Sequence, residues 1–341
     1  MFSLNVNRRD RGAARAEAER LWRIADRAGD PAMIAAASRR IGYLQHLAGE
    51  FREAQRSIER ALRFRFLMDD QQPAFWSFPF HHVSDARATL SEILLMRGFA
   101  ERAFHEARSN LDELNARDRL TSVHGLLAWG TCRIAVLTGD LITADQEIRG
   151  LIELSARMGA PFWRVRGRLL EGKVMVGRRA FADALRTLRG AFDISHETLR
   201  FVPDEEEVAG TFAEALAGVG RFDEALAAVA DAIIAASRPD AVAWCLSELL
   251  RVKGEVLLRR ASDGSIPAAE DCFSQAAEVA HKQGALFWEL RIALSVARLR
   301  VAQRRENEAR EILQPVYDRF TEGFGMTDLR AAKALIDELS G

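Results

Sequence analysis

Apolar and polar positions along this chain follow a helical period, and the same local pattern returns at long range. Seven alanines carry it: Ala54, Ala103, Ala144, Ala184, Ala225, Ala269 and Ala309. Each stands five residues after the start of a turn signal. The turns read Gly49-Glu-Phe, Gly98-Phe-Ala, Gly139-Asp-Leu, Arg179-Ala-Phe, Gly220-Arg-Phe, Gly264-Ser-Ile and Arg304-Arg-Glu. Four residues after each alanine comes an apolar residue: Ile58, Ala107, Ile148, Leu188, Val229, Phe273 and Leu313. Positions i and i+4 share one helix face. Seven residues before each turn, or ten in the sixth case, stands a small residue: Gly42, Ser91, Cys132, Gly172, Ala213, Gly254 and Ala297. The pattern predicts a helix A, a short turn and a helix B. Helix B presents a narrow alanine and apolar stripe to the small residue of helix A.

The alanines are spaced 49, 41, 40, 41, 44 and 40 residues apart. A near-constant period of this size marks a stack of repeated units. The small residue, glycine, aromatic and alanine resemble the tetratricopeptide repeat. These units exceed that repeat's roughly 34 residues, and the surplus falls between units, as at Asp69 to His82 and Thr198 to Glu206. The expected fold is all-α, a right-handed α-solenoid of about seven tetratricopeptide-like helix pairs. Residues 1–30 are expected as a capping or partial repeat with a helix over Asp10 to Gly29. The solenoid is expected over 31–325 and a capping helix over 326–341. Gly323 and Gly325 stop a helix, and Thr327 is placed to N-cap Asp328 to Leu339. The segment Gln71 to Phe80, with two prolines and four aromatics, reads as a loop tucked onto the solenoid or as a partner contact.

A second resemblance lies toward the C-terminus. The stretches are Ala243-Trp-Cys-Leu-Ser-Glu-Leu-Leu-Arg-Val-Lys-Gly-Glu-Val-Leu-Leu258, Ala269 to Ala276, Gln283 to Leu299, Leu313 to Phe324 and Asp328 to Leu335. They resemble the helical-repeat tail of bacterial signal-transduction ATPase regulators, and the likeness continues more loosely over Val83 to Asp240. In that family a winged-helix or class III adenylate cyclase domain precedes an ATPase domain, and the repeats close the chain. The resemblance implies a tail that holds a partner and controls a switch. This chain carries neither upstream domain, so it reads as a fragment or as a free-standing relative.

Charge removes several alternatives. Lys and Arg number 48 against 49 Asp and Glu, a formal net charge of −1. No basic footprint for direct nucleic-acid binding follows. No signal peptide or membrane span is legible, so a cytoplasmic protein is expected. Cys132, Cys245 and Cys272 are odd in number and widely spaced, and they read as core residues.

Candidate chemistry is sparse. Gly167-Arg-Leu-Leu-Glu-Gly-Lys-Val174 has the spacing of a phosphate loop, but Val174 replaces the required Ser or Thr and the segment lies inside a helix A. His81, His82 and Asp85 offer a partial metal site, with solvation or capping as the simpler reading. Asp204 to Glu207 suits an exposed helix start. Trp163 and Trp288 share matching contexts and read as packing residues, each followed three positions later by Arg166 or Arg291. No catalytic motif is legible, and neither a cofactor nor a metal is expected.

Helix A lines the concave surface of such stacks. Projecting the register gives Arg39, Tyr43 and His46; Asp85 and Glu92; Trp129 and Arg133; Arg166 and Lys173; Glu207 and Glu214; Glu248, Arg251 and Glu255; Arg291 and Arg298. The row has basic and acidic blocks, which suits a protein or peptide segment, or a small effector, in the groove. Glu248 and Arg251 can pair at i,i+3. The expected function is a non-enzymatic binding module of a signalling or transcriptional regulator. The alternatives are a scaffold or homodimer module and a free-standing peptide-signal receptor. Replacing Arg133, Arg166 and Lys173 together with Glu is expected to abolish binding without altering helical content.

Overall fold

A computed structural model describes residues 11–64, 82–116, 127–199, 205–238 and 241–340. The Gln71 to Phe80 segment, His81, His124 and Asp204 lie outside the described residues.

Among the described residues every regular element is helical. Helix α1 spans Arg11–Ala28 and precedes the first pair. The first pair is α2 (Pro31–Leu47) with α3 (Phe51–Leu62). The second is α4 (His82–Met96) with α5 (Ala100–Ala116). In the third, a π-helical turn, Leu127–Thr131, runs into α6 (Cys132–Thr138), which pairs with α7 (Leu141–Arg157). The fourth is α8 (Pro161–Gly177) with α9 (Phe181–Thr198), and the fifth α10 (Glu205–Gly218) with α11 (Phe222–Ala236). The sixth is α12 (Leu246–Arg260) with α13 (Ser265–Gln283). The seventh is α14 (Leu286–Ala302) with α15 (Glu306–Tyr317), followed by α16 (Thr327–Glu338). The molecule is an α-solenoid of tetratricopeptide-like pairs.

All seven recurrent alanines are fully buried. The glycines opposite them explain why. A Cβ built on Gly42 would stand 2.7 Å from Ile58, on Gly172 2.6 Å from Leu188, and on Gly254 2.5 Å from Phe273. Each clash is with the residue four positions after the recurrent alanine of the same pair. The small slot therefore lets helix B seat an apolar side chain directly on helix A. Gly167 meets Ile152 in the same manner, so both glycines of the phosphate-loop look-alike are packing residues. Six of the seven turns between A and B share one hydrogen-bond pattern, as where Glu50 N donates to Gln45 O, Phe99 N to Leu94 O and Ala180 N to Met175 O. This is the 6→1 bond of a helix ended by a left-handed residue.

The stack does not stay open. Leu47 O, at the end of α2, accepts from Ala243 N at 2.8 Å and Trp244 N at 3.2 Å, just before α12. In the second pair, Gly98 leaves a notch filled by Leu286 and Phe320 of the seventh. Glu322 accepts from the backbone N–H of Arg102, and Glu101 accepts from that of Gly323, both at 3.0 Å. Thr327 Oγ1 donates to Gly139 O at 3.3 Å. The first pair thus meets the sixth, the second meets the seventh, and the third meets α16. The superhelix completes one turn in five pairs, and its second turn rests on its first. The expected role of Thr327 is corrected here: Met326 is the N-cap residue of α16 and makes no side-chain cap, while the Thr327 hydroxyl serves the seam.

Candidate functional site

Helix A of each pair turns its charged positions toward the superhelix axis, where they meet. His46 Nε2 lies 3.0 Å from Glu92 Oε2, joining α2 to α4. Glu92 Oε1 lies 3.7 Å from Arg133 of α6. Arg133 donates to Glu207 Oε2 of α10 at 2.8 Å, and Lys173 of α8 donates to the other Glu207 oxygen. Arg166, also of α8, acts on both carboxylates through its charge. Farther along, Arg251 makes a bidentate pair with Glu248, both bonds at 2.8 Å. It also reaches Glu214 at 3.4 Å and Glu255 at 3.7 Å. Arg291 of α14 continues the chain, 2.6 Å from Glu248 and 3.5 Å from Asp328 of α16. Charged groups therefore form a ribbon along the axis.

The second turn covers part of this ribbon. The Trp244 ring lies 4.5 Å from the Arg133 guanidinium carbon and stacks on the His46 ring with centroids 6.1 Å apart. The Trp244 carbonyl accepts from Trp288 Nε1 at 3.1 Å, which fixes the indole pair. Arg133 and Arg166 are only 2% and 1% exposed. The open groove expected around these two residues is corrected accordingly: they form a covered floor. At such depth an unpaired charge is very costly, and pairing is what retains it.

The electrostatics follow from that burial. Burial opposes the Glu207 carboxylate, but Arg133, then Lys173 and Arg166, more than offset it and hold the carboxyl at about 2. Burial likewise opposes Glu92, while Arg133 and His46 keep it below the usual carboxylate range. Burial works to lower Arg133, yet Glu207 and Glu92 hold it above its ordinary value. Burial, then the like charge of Arg133, lowers Arg166 to about 10. Glu248 is held low against burial by Arg251 and Arg291.

The remaining members of the projected row divide by depth. Lys173, Glu214, Glu255 and Arg291 keep side-chain exposures of 21%, 29%, 29% and 23%, and form a rim. Arg39 of α2 pairs with Asp85 of α4. Tyr43 is half-buried and packs with apolar neighbours. Trp129 is engaged edge-on with Trp163, centroids 4.8 Å apart, and belongs to a local aromatic cluster. Arg298 is exposed and joins neither group of ion pairs. Sequence reasoning missed Trp244 and Asp328 as members of the ribbon. Trp244 sits just ahead of α12, and only closure of the superhelix brings it to Arg133.

Cys132, Cys245 and Cys272 are buried, and burial pushes each thiol up, away from the nucleophilic thiolate. Among the described residues, no three His, Cys, Asp or Glu stand where they could hold a metal ion. Among the same residues, no helix is long and apolar enough to cross a membrane.

No family model matches the sequence, and no curated protein does. Solved helical-repeat structures are similar to it. Yeast Tom70 is 14% identical with a TM-score of 0.41, over 95% of this chain and 58% of that one. A Rap protein complexed with competence and sporulation factor is 11% identical with a TM-score of 0.43, over 90% and 97% of the two chains. A tetratricopeptide repeat protein from Parabacteroides merdae ATCC 43184 is 14% identical with a TM-score of 0.41, over 90% and 99%. The chain thus spans less than two thirds of the Tom70 chain.

Proposed function

We propose that this chain is a non-enzymatic binding module, the repeat part of a signalling or transcriptional regulator. It takes a charged, extended peptide or protein segment along the rim of the axial ribbon. What supports the binding reading is the division between floor and rim. Floor pairs such as Arg133–Glu207 are desolvated, and removing one partner strands the other. Rim groups such as Glu214 and Glu255 keep about a third of their surface in water. Their contacts with Arg251 are long, 3.4 and 3.7 Å, and Arg251 keeps its bidentate pair with Glu248 when an incoming charge takes their place. The floor fixes the geometry and the rim offers the contacts. The regulator context is supported by the resemblance of the Ala243 to Leu335 stretches.

Selection of peptides from a display library on the intact chain tests this. Glu214→Gln with Glu255→Gln leaves the bidentate Glu248–Arg251 pair in place, so the fold is retained. Binding of a selected peptide is expected to weaken about tenfold or more in that double variant. Glu278→Gln, on the exposed face of α13, is expected to leave it unchanged. Equal affinity for all three proteins, read by fluorescence anisotropy, overturns the rim assignment. The triple Glu replacement of Arg133, Arg166 and Lys173 is not a clean test, because it reverses charges in the covered floor and is expected to unfold the chain.

A further inference from the structure

We infer that the seam between the two superhelical turns carries a binding site for a small phosphorylated ligand, separate from the axial ribbon. A cleft of about 240 Å³ opens beside the first pair, lined by Arg52, Gln55, Arg56, Glu59 and Arg97. The first four lie at i, i+3, i+4 and i+7 of α3, hence on one helix face. Arg97 comes from the turn after α4, and Arg102 from the first turn of α5 stands close enough to act on Arg97 through its charge.

The cleft is built around a buried amide. Gln55 is 8% exposed. Its Nε2 donates to Glu59 at 2.6 Å, and its carbonyl oxygen accepts from Arg97. Both hydrogen-bonding ends of the amide are therefore fixed, and Arg97 is held on a neutral acceptor. The guanidiniums of Arg97 and Arg102 share the Phe99 ring, 5.5 and 4.8 Å from its centroid. Across the seam, the Arg52 side chain packs against Gly284, its Nε 3.3 Å from where a Cβ would stand.

What points to an anion is an excess of positive charge: three arginines line the cleft against the single carboxylate of Glu59. Arg39, Arg87, Arg133, Arg251, Arg291 and Arg300 each meet a carboxylate. Arg52, Arg97 and Arg102 make no ion pair among the described residues. Glu59 is the cleft's only acidic lining residue, already engaged by Gln55, and the Arg56 pair with Glu53 is exposed. Burial, then the like charge of Arg52, lowers Arg97 below its ordinary value; Glu59 opposes the shift, and Arg102 and Arg56 add to it. Guanidiniums gathered this way offer forked donors that match the oxygens of a phosphate.

Size narrows the ligand. The cleft lies below the roughly 300–1,000 Å³ of sites for drug-sized molecules. It suits a phosphate group carried on a small molecule. Arg52, which lines the cleft, also lies against Gly284 of the second turn, so the cleft adjoins the seam.

Isothermal titration of the intact chain with inorganic phosphate, glucose 6-phosphate and adenosine monophosphate tests the site, with sodium chloride as the ionic-strength control. A saturable signal from at least one of the three is expected. Preference for an ester assigns a phosphorylated small molecule, and preference for inorganic phosphate assigns the free ion; both uphold the site. Arg52→Gln and Arg97→Gln are each expected to weaken binding by about tenfold to a hundredfold. Arg52 is exposed, so its variant is expected to keep the fold, which circular dichroism checks. No saturable signal, an unchanged affinity in both variants, or binding of a phosphoserine peptide alone overturns the inference. The peptide-binding variants at Glu214 and Glu255 serve as controls and are expected to bind phosphate normally, which separates this test from that of the rim.

Discussion

Arg179 and Arg304 hold φ angles of 61° and 60°, where Gly49, Gly98, Gly139, Gly220 and Gly264 stand in the other turns. A side chain in the left-handed region costs about 1–2 kcal/mol, and glycine avoids that cost while adding disorder to the unfolded chain. Both arginines are exposed, so little packing is lost on replacement. Arg179→Gly and Arg304→Gly are each expected to stabilise the protein by about 0.5–1 kcal/mol in urea unfolding. The slot was legible in the sequence although two of its occupants were not glycine, because the alanine five residues later kept the register. Other residues were less legible. Arg133 and Glu207 lie 74 positions apart, and no local period records that they meet. The register placed both on the axial face but carried no information about depth, which depends on what the second turn covers.

At the scale of the helix pair, small residues separate into those that pack and those that do not. Gly172 leaves no room for a Cβ beside Leu188, whereas Gly190 in α9 has nothing within 4 Å. Gly172→Ala is expected to cost about 1–3 kcal/mol through overpacking. Gly190→Ala is expected to gain about 0.5–1 kcal/mol by helix propensity alone. Opposite signs in thermal unfolding check the assignment, and equal signs contradict it. Pairs A and B were readable because both partners of each contact fall within one unit. The π-helical turn before α6 was not readable, since nothing in Leu127 to Thr131 departs from an ordinary helical pattern.

At the scale of the molecule, an open solenoid has only neighbour contacts and tends to unfold by parts. Here Leu47 bonds to Ala243 and Trp244 across nearly two hundred residues. Trp244 also covers Arg133 and His46 and receives the Trp288 N–H. This closure is expected to make unfolding a single cooperative event. Trp244→Ala is expected to cost about 3–5 kcal/mol and to split the urea transition into two. One transition persisting in the variant, followed by circular dichroism and tryptophan fluorescence together, shows that cooperativity comes from elsewhere. The signature stretch after Ala243 was legible as a sequence feature, but its role as the hinge point of closure was not.

The five-pair turn also bears on how such a chain can change over generations. In an open stack, duplicating or deleting one forty-residue unit lengthens or shortens the protein and leaves each remaining interface intact. In this molecule a duplication between the first and sixth pairs would carry Ala243 past Leu47 and set Phe320 against the wrong notch. The number of units between the two turns is therefore fixed by geometry, while growth beyond α16 is free of that restriction. Length variation among descendants of this chain is expected to accumulate at its ends.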